Sequence, residues 1–376
     1  MKTESSHKIE IQKTQHGVSQ ISQNWFLQLK NKISNYHKLS REINLTIEEQ
    51  RGLLHTKFKF AVVPYILSLI DTNNEHCPIR KQFIPTIDEI KILPEELSTQ
   101  KIQDDNQKND FLVLPEFIHR YADRIIILLT DQCAAYCRFC SHKNFVGRNE
   151  SELTNNEFQL VIKYLKQHIE INHVILSGGD PLSLSDEKLE FVLKHLRQIP
   201  HVSVIRIETR IPVVLPQRIT NKLCGILKKY QPIYLNIMIN HPKELNEYTK
   251  YVFNILSDYG IPLSSNTVLL KGINDKVQTL AELFNKLLTL RVRPYQMLQC
   301  DIVEGTSHFR VPISAGIKIV KQLRSLISWF AIPNFVVHTT KNSKVVIEPQ
   351  VVISKTRNSV MIKDFNDNIF VYPEIK

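Results

Sequence analysis

From residue 124 to about residue 328 the sequence alternates between two kinds of segment. Short apolar, β-type runs occur at 125–129, 174–176, 202–207, 233–239, 263–270 and 292–298. Amphipathic stretches lie near 157–169, 187–197, 218–229, 243–258, 276–290 and 314–328. An apolar run of strand length buries in a sheet, and a stretch of 3.6-residue period covers it. Six β–α units in series therefore predict an α/β fold, a parallel sheet with helices outside. Six are too few to close an eight-stranded barrel. The expectation is a partial, open (β/α)6 barrel whose active site lies at the C-terminal ends of the strands.

The rest of the chain is arranged around that core. Residues 1–20 are polar and aperiodic and are expected to be a disordered tail. Residues 21–118 form an N-terminal helical and wrapping region. Thr46-Ile47-Glu48-Glu49 reads as a helix start, and 71–120, rich in Pro and Asp, reads as a surface wrap. The core is assigned to 119–333, and 334–376 is a C-terminal extension with short β-like runs. A net charge of +11 raises the question of nucleic acid. The Lys and Arg residues are dispersed, however, and no nucleic-acid signature occurs. The polar N-terminus carries no secretory pattern. The longest apolar run near the core motif, 125–129, is too short to span a membrane. Unpaired cysteines point to a reducing cytoplasm.

The loop after the first core strand holds Cys133, Cys137 and Cys140, spaced Cys-x3-Cys-x2-Cys. Three thiolates on one short loop can hold three irons of a [4Fe–4S] cluster and leave the fourth without a protein ligand. Zinc with His142 as a fourth ligand is the alternative, although zinc knuckles come as paired CxxC units. Disulfides are disfavoured, because Cys77, Cys224 and Cys300 are scattered.

The cysteine spacing resembles that of the radical SAM superfamily. There the open iron binds S-adenosylmethionine (SAM), and electron transfer releases a 5′-deoxyadenosyl radical. Ser177-Gly178-Gly179-Asp180-Pro181, between the second strand and its helix, is similar to the turn that contacts the methionine end of SAM. By that resemblance Gly178, Gly179 and Asp180 position SAM.

Further runs narrow the resemblance to the lysine 2,3-aminomutase family. They are Cys77-Pro78-Ile79-Arg80-Lys81-Gln82, His119-Arg120-Tyr121-Ala122-Asp123-Arg124, Val214-Leu215-Pro216-Gln217-Arg218-Ile219-Thr220, Asn240-His241-Pro242-Lys243-Glu244, Val268-Leu269-Leu270-Lys271-Gly272-Ile273-Asn274-Asp275 and Gln299-Cys300-Asp301 with His308-Phe309-Arg310. The similarity extends from about residue 25 to about residue 371. It implies pyridoxal phosphate (PLP) as a second cofactor. Lys344 falls on the family's PLP lysine, with Lys341 the alternative. Arg120 falls on an arginine that contacts PLP, and Arg138 and Arg124 are further arginines nearby. It also implies a small amino-acid substrate, a reductant protein such as flavodoxin or ferredoxin, and a homo-oligomer.

The chain departs from the family at the substrate. His142 stands where an arginine holds the substrate carboxylate. Asp301 keeps one of two aspartates that hold the ε-ammonium of lysine, and His338 replaces the other. Neutral imidazole cannot make a two-pronged charged contact, which costs about 1.5–3 kcal/mol. Met238 and Asn266 replace a histidine and a glutamine on the SAM side. The family's zinc cysteines are missing, one of them at Lys276, so no zinc is expected. The resulting expectation is a SAM- and PLP-dependent 2,3-aminomutase with specificity altered from lysine. His142 and His338 would make its pocket pH-sensitive. The alternatives are L-lysine 2,3-aminomutase proper, including the type that makes β-lysine for elongation factor P, and a radical SAM enzyme that has lost PLP chemistry.

Overall fold

The computed structural model describes residues 24–97, 112–114, 117–339, 344–349, 351–356, 359–364 and 366–373. The tail expected at 1–20 lies outside them, as do Lys341 and the side chain of Arg120. A ten-stranded sheet runs in sequence order. It opens with β1 (Leu112–Leu114) and β2 (Phe117–Tyr121), which pair antiparallel. The six expected core strands follow as β3 (Arg124–Thr130), β4 (His173–Gly178), β5 (Val204–Thr209), β6 (Ile233–Met238), β7 (Leu263–Leu269) and β8 (Arg293–Gln299). All five pairings from β3 to β8 are parallel. The sheet continues into the segment assigned to the extension. β9 (Asn334–His338) runs parallel to β8, and β10 (Lys344–Val346) folds back antiparallel on β9. A separate three-stranded sheet follows, β11 (Val352–Lys355), β12 (Ser359–Lys363) and β13 (Ile369–Pro373).

Helices 155–167, 186–197, 221–229, 247–258, 277–289 and 313–326 follow β3 to β8 in turn. The first four start on side-chain caps, whereas 277–289 and 313–326 have none. Thr154 and Glu157 form a reciprocal capping box, and Ser185, Thr220 and Asn246 cap their helices through side-chain oxygens. Apolar residues at three- and four-residue spacing, such as Phe158, Val161, Ile162 and Leu165, are buried against the sheet. In β5 the outward residues Ile205 and Ile207 are fully buried under helices, whereas Arg206 and Glu208 are half-buried on the other face. That face is the lumen of the open barrel. Period-two alternation thus sends apolar side chains to the helices and polar ones to the lumen.

The N-terminal region goes deeper than a surface wrap. Ile79, Phe83 and Ile84 are within 1% of full burial, and Arg80 is 2% exposed. Arg80 is held by Glu49 through two hydrogen bonds of 2.6 Å each and by the Thr72 carbonyl at 3.0 Å. Glu49 also accepts from the Thr46 backbone N–H at 2.8 Å, which completes the capping box at the expected helix start. One carboxylate therefore starts a helix and anchors the neighbouring segment.

Candidate active site

The loop after β3 is tied down on every side. Gly147 N–H donates to the Asp131 carbonyl at 2.7 Å. The Asp131 carboxylate collects the backbone N–H groups of Asn149, Glu150 and Ser151 at 2.6–3.1 Å. Tyr136 N–H donates to Ala61 and Arg138 N–H to Gln82, so two N-terminal segments close over the cysteines. Cys133, Cys137 and Cys140 are half-buried free thiols. Burial, with the Asp180 and neighbouring thiol charges, pushes Cys133 well up, and burial pushes Cys140 up to about 12. Among the described residues no three His, Cys, Asp or Glu side chains close on a single point. His142 donates Nδ1–H to the Gly178 carbonyl at 3.2 Å, while its backbone N–H donates to Cys140 Sγ at 3.3 Å.

The glycine turn after β4 packs onto this loop. Gly178 has φ +113°, a region open to glycine, and a Cβ there would lie 2.4 Å from the Thr130 carbonyl oxygen. At Gly179 a Cβ would lie 2.2 Å from the Gln132 carbonyl oxygen. Asp180 is 5% exposed. Its carboxylate accepts from Thr209 Oγ1 and Arg210 N at 2.7 Å and from Leu182 N and Ile211 N at 3.1 Å. Burial raises its pKa and these bonds oppose the rise. The carboxylate thereby fixes the glycine turn by joining the ends of β4 and β5.

Beneath the cysteine loop lies a buried charge cluster. Glu89 is 2% exposed and receives Arg138 at 2.7 and 2.5 Å and Lys143 at 3.3 Å. Arg138 also donates to the Lys59 carbonyl at 2.7 Å. Burial works against the Glu89 carboxylate, but the two cations outweigh it and lower its pKa. Burial brings Lys143 down to about 8. Arg138, one of the two further arginines, has its guanidinium consumed inside the fold. A further network joins Arg210, Gln82, Glu244, Asn240 and Asn274 at the ends of β5, β6 and β7. Gln82, Asn240, Glu244 and Asn274 lie inside the runs carrying the resemblance and Arg210 just before one, but no spacing in the sequence signals their role. Their function depends on burial and on partners far along the chain.

The lumen assembles the remaining residues. Asp301, after β8, accepts Nδ1–H of His338, at the end of β9, at 2.9 Å. Lys344 is the cross-strand partner of His338 and donates Nζ–H to Gln296 of β8 at 3.3 Å. The Asp301 charge also reaches the Cys140 thiol. Glu208 accepts from Asn236 at 2.8 Å and from Asn266 at 3.5 Å and pairs with Arg206 at 2.7 Å. A lone glutamate in a strand carries no spacing signal, and only strand register reveals that it faces the lumen. His173, the first residue of β4, lies near Arg124 and Arg206, and burial with those two charges holds it down at about 4. Arg124 Nε, Arg206 Nε and His173 Nε2 are buried with no well-directed hydrogen-bond partner, although each guanidinium lies beside a carboxylate. Arg124 also stacks on Tyr121, 4.4 Å from the ring centroid.

The Radical SAM superfamily model matches residues 127–284. The L-lysine 2,3-aminomutase of Fusobacterium nucleatum is 42% identical over 353 residues, 93% of this chain and 82% of that protein. The chain belongs to the lysine 2,3-aminomutase family of radical SAM enzymes. The Clostridium subterminale L-lysine 2,3-aminomutase is 40% identical over 93% of this chain and 84% of its own length. The glutamate 2,3-aminomutase of Clostridioides difficile is 36% identical over 94% of this chain and 83% of its own length. The family's members are aminomutases, a class of isomerase, and membership implies SAM and a [4Fe–4S] cluster. Among the described residues no helix is long and apolar enough to cross a membrane.

Proposed function

We propose that the chain is a PLP-dependent 2,3-aminomutase whose distal pocket is not built for lysine. The observation that carries the reading is the lumen arrangement at β8–β10. Lys344 lies opposite His338 on one face of an antiparallel pair, a spacing that brings side chains into contact. His338 in turn engages Asp301. Two unpartnered carboxylates capture an ammonium group well. Here one carboxylate is already partnered by an imidazole, and His338 Nε2 is buried without a hydrogen-bond partner. That nitrogen accepts when neutral and donates when protonated. Such a pair favours a substrate whose far end is less cationic than that of lysine.

When bound, the cluster and PLP supply the radical-generating electron and the π-system for amino-group migration. Cys133, Cys137 and Cys140 would hold the cluster, and Gly178 and Gly179, by letting their turn pack directly on the cysteine-loop backbone, would set the SAM-facing turn beside it. Lys344 would carry PLP. The guanidiniums of Arg124 and Arg206, with neutral His173 between them, offer donors suited to its phosphate, and Arg120 is a further candidate outside the described side chains. His142, fixed against Gly178, stands between the cysteine loop and the SAM turn as a substrate contact.

Homo-oligomerisation is supported by the C-terminal sheet. Ile369, Phe370, Val371 and Tyr372 are 53–65% exposed, and a small sheet of this kind requires cover. An external reductant of the flavodoxin or ferredoxin type completes the scheme.

The test is anaerobic turnover of reconstituted enzyme with SAM, PLP and dithionite across a panel of amino acids, read by mass spectrometry. A β-amino isomer from a substrate other than lysine is expected, and lysine as the best substrate refutes the altered specificity. Purified protein should show PLP absorbance that Lys344→Ala abolishes. Retention in that variant removes Lys344 from its role, and deoxyadenosine without any isomer favours an enzyme that has lost PLP chemistry.

A further inference from the structure

Arg210 reaches both halves of the radical-generating site. Its backbone N–H donates to Asp180 at 2.7 Å, and its Nη1–H donates to Cys137 Sγ at 2.7 Å. The residue is 7% exposed, and its guanidinium lies 4.6 Å from the Phe83 ring and 5.4 Å from the Phe139 ring. Nη2 is aimed by Gln82 and by Glu244 at 3.0 Å. Those acceptors are fixed in turn: Glu244 Oε1 accepts the Asn240 backbone N–H, and Gln82 Oε1 accepts Asn240 Nδ2–H, each at 2.9 Å. The guanidinium therefore cannot swing away from the sulfur without breaking a buried network. Burial works against its charge, but Cys137 and Glu244 hold it protonated. Arg210 Nε–H is also buried without a hydrogen-bond partner, a donor left over beside the cysteine loop.

We infer that Arg210 is a positioning residue that sets the reduction potential of the cluster through its charge-assisted hydrogen bond to the Cys137 sulfur. A cationic donor on a ligating sulfur withdraws electron density and favours the reduced, more negative state. In a buried site that effect is little screened. The electron comes from an external low-potential donor, the cluster gains it, and no bond to Arg210 is made or broken. Because the same residue clamps Asp180, the cluster ligand and the SAM turn share one rigid support. The inference rests on the cluster alone and needs neither PLP nor a particular substrate.

The experiment is an anaerobic dithionite redox titration of the reconstituted holoenzyme, followed by electron paramagnetic resonance without PLP or substrate. Arg210→Met with full iron and sulfide content should lower the potential. The reduced-to-oxidised ratio at a fixed potential should fall about tenfold, ~59 mV for a one-electron couple. Arg210→Lys, which keeps the charge but not the fork, should fall between the two. A merely structural role would change cluster content and leave the potential of assembled clusters unmoved, and that result overturns the inference. Where Arg210→Met fails to hold a cluster, wild-type enzyme with ¹⁵N-labelled arginine decides. Pulsed resonance of the reduced cluster should detect a guanidinium nitrogen coupling, and its absence refutes the contact. Failure here leaves the aminomutase reading standing, since turnover is not measured.

Discussion

Glu89→Gln tests whether the cysteine loop is held by buried charge. In the native protein Glu89 faces two cations, Arg138 at 1% and Lys143 at 6% exposure. Removing one partner of a buried ion pair costs about 3–5 kcal/mol, because a charge is left desolvated and unpaired. Two features put this substitution at the low end. Glutamine keeps one acceptor for Arg138. Lys143, already brought to about 8 by burial, loses the charge that raises it and can shed its proton near neutrality. The expected loss is about 3 kcal/mol in urea unfolding of the reduced, cluster-free protein, analysed by linear extrapolation. Adding Lys143→Met should recover part of it, about 1 kcal/mol, since a cation needing a partner is gone. Because Arg138 lies between Cys137 and Cys140, two of the proposed cluster ligands, iron content after reconstitution should fall in the single variant. A loss below about 1 kcal/mol would mean that the loop is held by its backbone bonds and that the ion cluster contributes little.

Gly179→Ala places a Cβ 2.2 Å from the Gln132 carbonyl and 2.8 Å from the Asp131 carbonyl carbon, both fixed backbone. It should abolish SAM binding measured by equilibrium dialysis of cluster-loaded protein, whereas Gly225→Ala, where a Cβ meets nothing within 4 Å, should not. Acid stability should follow His173 and His308, each held down at about 4 chiefly by burial, against an ordinary 6.5. Between pH 6.5 and 4 the unfolded chain binds protons that the folded one refuses, so stability falls as pH falls through that window. The loss should be ~2 kcal/mol for each histidine after solvent screening, and a His173→Asn/His308→Asn variant should show a flatter pH profile of melting temperature. An unchanged profile would mean that both imidazoles protonate freely in the native state.

The barrel was legible because its periodicities are local. All six expected core strands appear, with ends shifted by a residue or two, since an apolar run and a capped amphipathic helix carry their own instructions. The cysteine loop and the Ser177–Pro181 turn were legible for a similar reason, since several groups needed at one point are supplied by a few consecutive residues. The segment 71–120 goes deeper than the surface wrap expected of it, because its Pro and polar residues conceal that Arg80, Gln82 and Glu89 find hydrogen-bond partners elsewhere in the chain. The continuation of the sheet into β9 and β10 was likewise hidden, because short runs do not announce which edge they join.

By itself, then, the sequence determined the α/β architecture and the position of the three thiols. Tertiary structure alone decided that Arg210 meets Cys137, that His338 claims Asp301, that Lys344 faces the lumen beside Gln296, and that Glu208 points inward. Each depends on strand register or on a contact between distant segments. A hydrogen bond or ion pair exists only where the whole fold brings two groups within about 3 Å and excludes the water that would compete for them.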